Sequence, residues 1–323
     1  MRLTYTAPLP EPIGFLLLPR FAMMAFFSAV EPLRIANRIA GRELFVWHVI
    51  SQDGEPVTAS NGMTLLADAS LDSAPRLPTL AVCSSFDPEA ALHRRTIRWL
   101  HRLAGEGCVL GGIDTGSVIL ARAGLLEGHR VTLHWESLPA FRERFPAIEA
   151  VESRYEIAET GFSCAGGAAA MDMSLDLIAR RHGPALATAV TEQLIHDQGR
   201  TPRQSQRMAL VQRLGSHKSA LIAAVALMER HLETPLAIQT IAERVGISLR
   251  QLQRHFEQEL GVRPRDHYRH LRLARARQLL QETDHEILGI GLACGFNSAS
   301  SFSRAYRQHY GESPRESRHG AAD

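Results

Sequence analysis

The C-terminal part of this 323-residue chain carries one short pattern twice. The first copy runs Ile241-Ala-Glu-Arg-Val-Gly246-Ile-Ser248-Leu-Arg-Gln-Leu252-Gln-Arg-His-Phe256 and closes on Gly261 and Pro264. The second runs Ile290-Gly-Leu-Ala-Cys-Gly295-Phe-Asn-Ser298-Ala-Ser-Ser-Phe302-Ser-Arg-Ala-Tyr306 and closes on Gly311 and Pro314. The offset is 49 residues at the isoleucine and 50 at the closing Gly and Pro, so one residue is inserted after Gly295. Each copy reads as a short helix, a glycine turn and a second helix with arginine on its far face. That is the helix-turn-helix pattern, whose second helix lies in a DNA major groove. Two copies predict recognition over two successive grooves.

Helical periodicity sorts each second helix by face. Leu252 and Phe256 point inward, whereas Arg250, Gln253 and Arg254 share a different, outward face. Arg and Gln make forked contacts to guanine and adenine edges, each worth about 1–3 kcal/mol of discrimination. In the second copy Phe302 and Tyr306 are inward, and Ser300, Ser301 and Arg304 outward. Ser248 and Ser298 are placed as N-caps, leaving backbone N–H groups near each helix start for phosphate. The helical stretch Arg269–Leu280 between the copies, with Arg272, Arg275 and Arg277, would hold the reading helices about one DNA turn apart, roughly 34 Å. The other reading of any single outward arginine is a solvated charge. The other reading of the repeat is a protein-binding module, which two glycine turns recurring in register disfavour.

Charge agrees with this division. Residues 201–323 hold 18 Lys+Arg against 12 Asp+Glu, while the first 200 hold 18 against 22. A basic part joined to a slightly acidic one is the footprint of a DNA-binding module on a different partner. Lys218 is the sole lysine, so the basic charge is almost all forked guanidinium. Cys83, Cys108, Cys164 and Cys294 stand far apart with no C-x-x-C pair, which indicates neither a zinc site nor a disulfide framework. Cys294 reads as a small buried apolar residue. The opening residues MRLTYTAPLPEP lack a signal pattern, and no apolar run reaches the ~18 residues of a membrane span. A cytoplasmic protein without metal or cofactor is the expectation.

The first two thirds alternate strand and helix signals. Strands are expected at Ile13–Leu18, Phe45–Ser51, Thr79–Ser84, Val109–Ile113 and His129–His134, with a hairpin of Tyr155–Ala158 and Gly161–Ala165. Helices are expected at Ala22–Ile39, Glu89–Leu103, Ser117–Ala123, Gly167–Arg181 and Ala220–Leu232. The alternation predicts an α/β domain, a flavodoxin-like, mostly parallel sheet with helices on both faces. An all-α C-terminal domain with two helix-turn-helix units follows it. The polar, Arg/Gln-rich stretch 196–217 reads as a linker between residues 1–195 and 218–323.

Residues 218–318 closely resemble the AraC-type (AraC/XylS) transcription-factor domain. Its second-unit pattern C-G-F-x-S-x-S-x-F-S-R-x-[FY]-[KR], then G-x-x-P-x-x-x-R, is matched by Cys294 through Arg307 with Gly311, Pro314 and Arg318. The resemblance implies that the first reading helix, with Arg250, Gln253 and Arg254, makes the base contacts. It also implies a weaker second reader, in agreement with Ala299, which offers no hydrogen bond.

A second motif is Leu110-Gly-Gly-Ile-Asp114-Thr115-Gly116-Ser117. A strand that turns sharply into a helix presents the turn side chain beside free N–H groups. The N-terminal 190 residues resemble the PfpI and class I glutamine amidotransferase-like fold as fused, GlxA-type, to AraC-type domains. The likeness rests on Phe15-Leu-Leu-Leu-Pro, Ser28-Ala-Val-Glu31-Pro-Leu, Val82-Cys-Ser-Ser-Phe86-Asp-Pro, the elbow, Ala123-Gly-Leu-Leu-Glu-Gly128 and Thr132-Leu-His134-Trp135-Glu136. In that fold the elbow holds a nucleophilic cysteine. Here it holds Asp114, followed by Thr115, so thiolate attack at this position is excluded and no catalytic residue is assigned. Either Asp114 only caps the next helix, or the lost active site has become a ligand pocket.

The resemblance places Glu31 opposite the elbow and Trp135 and Glu136 beside it. Carboxylates with a tryptophan face suit a cationic, even quaternary, amine. His134, Thr115 and the elbow N–H groups suit a ligand carboxylate, while Phe86 and Asn61 are further lining candidates. Trp135 has a second reading as plain core. Relatives of this architecture respond to betaines, carnitine and arginine, which points to an amine or amino-acid-like effector. The expected whole is a homodimeric, ligand-responsive activator of a catabolic operon on double-stranded promoter DNA, with RNA polymerase a further candidate partner. The other readings are an amidase or glyoxalase-like hydrolase, and a DNA-binding protein whose N-terminal domain only dimerises.

Overall fold

In the computed structural model, residues 5, 7–90, 92–196, 206, 213–283 and 285–319 are described. The chain divides into two compact units, Met1–Gln206 and Arg207–Asp323. The expected linker, 196–217, lies largely outside the described residues.

The first unit runs β1 (Glu11–Leu17), α1 (Met23–Ala40), β2 (Phe45–Ile50), β3 (Val57–Thr58), β4 (Thr64–Leu65), β5 (Thr79–Ser84) and α2 (Arg94–Gly105). It continues with β6 (Val109–Asp114), α3 (Gly116–Arg122), β7 (Arg130–Val131), α4 (Leu138–Arg144), β8 (Glu149–Ala150), β9 (Tyr155–Ile157), β10 (Gly161–Cys164), α5 (Ala169–His182) and α6 (Pro184–Gln193). The main sheet has the order β2-β1-β5-β6-β10-β9, parallel except where β9 pairs antiparallel with β10. Every residue of β5 and β6 is buried, as continuous apolar strands covered on both faces must be. One face packs Phe15, Phe26, Leu33, Met173 and Ile178 under α1, α5 and α6. The other packs Leu16, Val82, Trp99, Leu120 and Phe141 with α2, α3 and α4.

From β1 the chain steps outward to β2, then crosses back to β5 on the other side of β1. The topological switch point therefore lies between β1 and β5. The crevice outside the carboxyl ends of those strands is where such sheets bind ligands.

Two expected elements are shorter than their patterns. The strand expected over 129–134 is only Arg130–Val131, paired with β8 outside the main sheet. Beyond it the Thr132 backbone bonds to side chains instead of a ladder: its N–H donates to Ser163 Oγ at 2.8 Å and its carbonyl accepts from Ser117 Oγ at 3.1 Å. The helix expected from Glu89 begins at Arg94; Glu89 lies in a turn before it, where its carbonyl accepts from the Leu92 N–H at 3.0 Å and its carboxylate pairs with Arg144 and Arg122.

The second unit is helical: α7 (Ser219–Arg230), α8 (Ile238–Arg244), α9 (Leu249–Leu260), α10 (Pro264–Glu282), α11 (Ile287–Ala293), α12 (Ala299–Tyr310) and α13 (Pro314–His319). Leu252 and Phe256 of α9 pack on Ile241, Val225 and Met228. Gly261 and Gly311 close α9 and α12 in the left-handed conformation that glycine adopts freely. The long helix α10 grips the second unit of the repeat through Arg272. Its guanidinium donates to the Cys294 and Gly295 carbonyls at 2.7 and 2.6 Å and lies 4.2 Å over the Phe296 ring.

The two turn glycines, equivalent in sequence, differ in surroundings. Gly246 (φ 76°) faces open space, whereas a Cβ on Gly295 (φ 73°) would stand 2.4 Å from Pro235 Cγ and 2.7 Å from the Leu232 carbonyl. The second turn is thus packed onto the segment that enters the first helix-turn-helix unit. Gly246→Ala should cost about 1–2 kcal/mol, the left-handed penalty alone. Gly295→Ala adds overpacking of about 1–3 kcal/mol. Chemical denaturation followed on the C-terminal transition checks this; equal losses for the two variants would refute the packing difference.

Candidate functional site

The reading helix α9 is set by a reciprocal cap. Ser248 Oγ accepts from the Gln251 N–H at 3.2 Å, and Gln251 Oε1 accepts from the Ser248 N–H at 2.9 Å. With Leu252 and Phe256 fully buried, Arg250, Gln253 and Arg254 are all exposed. None of the three has an ion-pair or hydrogen-bond partner among the described residues, so their forked donors and acceptors are available to a duplex.

The second reading helix differs. Ser298 Oγ accepts from the Ser301 N–H at 3.2 Å and lies 3.2 Å from Ser300 Oγ, and Ser301 Oγ donates to the Ser298 carbonyl at 2.9 Å. The structure therefore places Ser300 and Ser301 in the cap itself. Arg304 is exposed and lines a shallow depression with Ser303, Arg307, Gln308 and Ser313. Ser303 stands at the repeat position of Gln253, and the offset of 50 residues carried that signal. Tyr306 is anchored by its hydroxyl, which donates to Ser317 Oγ at 2.8 Å.

In the first unit β6 passes into α3 with one residue between them. Asp114 adopts φ 61°, a conformation costly for a residue with a Cβ. Gly116 makes the turn possible, since a Cβ there would lie 1.9 Å from the Val82 carbonyl oxygen. Asp114 packs on Gly166, where an added Cβ would come within 2.9 Å of its own Cβ. The Thr115 N–H donates to the Ser84 carbonyl at 3.3 Å and its hydroxyl to the Ser85 carbonyl at 2.6 Å. Thr115 is thereby committed to the turn. Cys83 and Cys164 flank the elbow, each in register with Ile113. Burial pushes the Cys164 thiol up to about 12 and the Cys83 thiol well above its ordinary value. Both stay protonated, so neither supplies a nucleophilic thiolate.

Two further clusters surround the elbow in sequence. His134 Nδ1 lies 3.6 Å from Glu136 Oε2, and its ring centroid is 5.7 Å from that of Trp135. Burial lowers the His134 pKa against the opposing pull of Glu136, so the imidazole is neutral near pH 7. Phe86 is exposed, with the Arg20 guanidinium 5.5 Å over its ring, and Arg20 is ion-paired with Asp87. The Glu31 carboxylate pairs with Arg34 one turn along α1, at 2.7 Å. Asn61 accepts from the Met63 N–H at 3.0 Å within the β3–β4 turn.

Sequence reasoning missed Arg20 and Asp87. Among the described residues, the non-glycine residues with left-handed backbone are Arg20, Asp87, Asp114 and Ile195. The first three follow the carboxyl ends of β1 and β5 and close β6, at and beside the switch point. Backbone strain gathers at binding sites, but strand order, which no local pattern gives, was needed to see these three together. Among the described residues no group of three or more His, Cys, Asp and Glu is arranged to hold a metal ion, and no helix is long and apolar enough to cross a membrane.

These features agree with known proteins. Residues 241–320 match the family described as "Helix-turn-helix domain". The HTH-type transcriptional regulator CdhR of Pseudomonas aeruginosa is 46% identical over 304 residues, covering 94% of this chain and 90% of that protein. The crystal structure of an AraC family transcriptional regulator from Pseudomonas putida is 30% identical with a TM-score of 0.53, over 57% of this chain and 100% of that one. A THiJ/PfpI family protein from Pseudomonas syringae, 22% identical over 68% of this chain and 86% of its own, shares the fold at a TM-score of 0.52. The chain belongs to the AraC-type helix-turn-helix transcriptional regulators, DNA-binding proteins rather than enzymes, with a PfpI-like parallel-sheet fold in its N-terminal unit.

Proposed function

We propose that the protein is a ligand-responsive activator of a catabolic operon, with a sensor at 1–195, a linker at 196–217 and a DNA reader at 218–323. Its effector is a cationic amine or amino-acid-like compound of the betaine, carnitine or arginine class. The observation that carries this reading is Asp114, held in strained left-handed backbone at the elbow, on the same chain as a double DNA reader. A carboxylate where a nucleophile would stand attracts a cation. Trp135 offers an aromatic face to the same charge, with Glu136 beside it. Neutral His134 and the Arg20 guanidinium are donors for an effector carboxylate, a role that Thr115, with its hydroxyl given to Ser85, leaves to them. Glu31, paired with Arg34, and Phe86, under Arg20, belong to the outer wall.

On DNA, Arg250, Gln253 and Arg254 read base edges. Arg304 and the capped start of α12, with Ser300 and Ser301, position the second unit on the phosphate backbone. A homodimer in the cytoplasm, acting with RNA polymerase on double-stranded promoter DNA, completes the reading. Footprinting tests it: promoter DNA left unprotected with and without amines would refute it.

Arg254→Ala should weaken specific binding by about 1–3 kcal/mol and leave binding to random DNA nearly unchanged. Equal losses on both DNAs, in a gel-shift titration, would make Arg254 a phosphate contact. Asp114→Asn removes the charge while keeping a residue that tolerates positive φ. It should abolish the effector response and preserve DNA affinity. Thermal unfolding against a panel of cationic amines checks this: an effector at 100 times its Kd adds about 2.7 kcal/mol to the wild type and nothing to the variant.

A further inference from the structure

The first unit contains a small polar seat already filled by this chain. The Gln206 Nε2 amide donates to Thr132 Oγ1 at 3.1 Å, the Leu133 carbonyl at 2.9 Å and the Ser153 carbonyl at 2.7 Å. Thr132 Oγ1 spends its own proton on the Ser153 carbonyl at 2.8 Å, so the seat presents acceptors only. It therefore recognises a donor. The other half of the carboxamide, Gln206 Oε1, is buried without a partner among the described residues. The contact is specific yet leaves one acceptor unmet, as suits a contact that is made and broken.

The seat is continuous with the elbow. Ser117, in the first turn of α3, donates to the Thr132 carbonyl at 3.1 Å, and Leu133 leads directly into His134 and Trp135. A second pin holds the segment leaving α6. His196 Nε2 lies 2.8 Å from Asp172 Oδ1, and buried Asp172 takes the Arg154 guanidinium, with Nε at 3.0 Å. Ser153 and Arg154 are neighbours, so the Gln206 and His196 contacts meet at one two-residue point of the sensor.

We infer that this seat couples the sensor to the DNA reader: Gln206 is its intramolecular ligand, and a change at the elbow frees or tightens it through Thr132. The inference rests on the regulatory reading above. The test uses the full chain, without effector, on a DNA fragment selected by the wild type from random sequence. Gln206→Ala, Thr132→Val and their double variant are titrated, with sensor melting recorded for each. Each single variant should shift the DNA Kd in the same direction by about 5-fold or more, the scale of allosteric coupling. The double should shift it no further than one single. Gln206→Glu should exceed Gln206→Ala, since a carboxylate faces three acceptors. Wild-type DNA affinity in both position-206 variants overturns the coupling, as do additive shifts or a change confined to sensor melting. A wild type that selects no DNA refutes the reader and not the seat.

Discussion

The first unit depends on one close approach. The α carbon of Gly116 sits so near the Val82 carbonyl that any side chain would occupy the oxygen's place. This lets β6 turn into α3 through a single residue. The turn holds Asp114 in left-handed backbone at the carboxyl edge of the sheet and sends Ser117 back to the Thr132 carbonyl. The elbow side chain and the neighbouring 132–136 segment are thus located by one constraint. Buried Cys83 and Cys164, kept protonated, leave the Asp114 carboxylate as the chemistry of the elbow.

The second unit repeats a local pattern and then breaks its symmetry. Both reading helices start at a serine cap and end at a left-handed glycine. In α9 the third residue is Gln251, whose side chain completes the cap and leaves Arg250, Gln253 and Arg254 outward. In α12 short serines fold back on Ser298, so Arg304 is left with less company. The inserted residue after Gly295 accompanies a tight turn lodged against Pro235 and gripped by Arg272.

Much of the fold was legible because its signals are local. The 50-residue recurrence, the caps and the inward pairs Leu252/Phe256 and Phe302/Tyr306 depend on neighbours within one or two turns. The buried runs at 79–84 and 109–114 have lengths and compositions that fit a strand covered on both sides. Misreadings fell where a distant group competes for a local one. His129–His134 has the composition of a strand, but Ser163 and Ser117 take the Thr132 backbone. Glu89 looks like the opening of a helix, but it lies in a turn before one, its carboxylate paired with Arg144 and Arg122.

The sequence by itself determined that this chain carries two helix-turn-helix units and an elbow without a nucleophile, because repeats, turn glycines and the identity of residue 114 are one-dimensional facts. Tertiary structure alone decided that Arg20, Asp87 and Asp114 gather at and beside one switch point. It alone decided that Gly295 rests on Pro235, and that Gln206 reaches back to Thr132 and Ser153. Those pairings join residues tens of positions apart. Their partners are chosen by strand order and by buried polar groups that must be satisfied, and neither leaves a periodic trace in the chain.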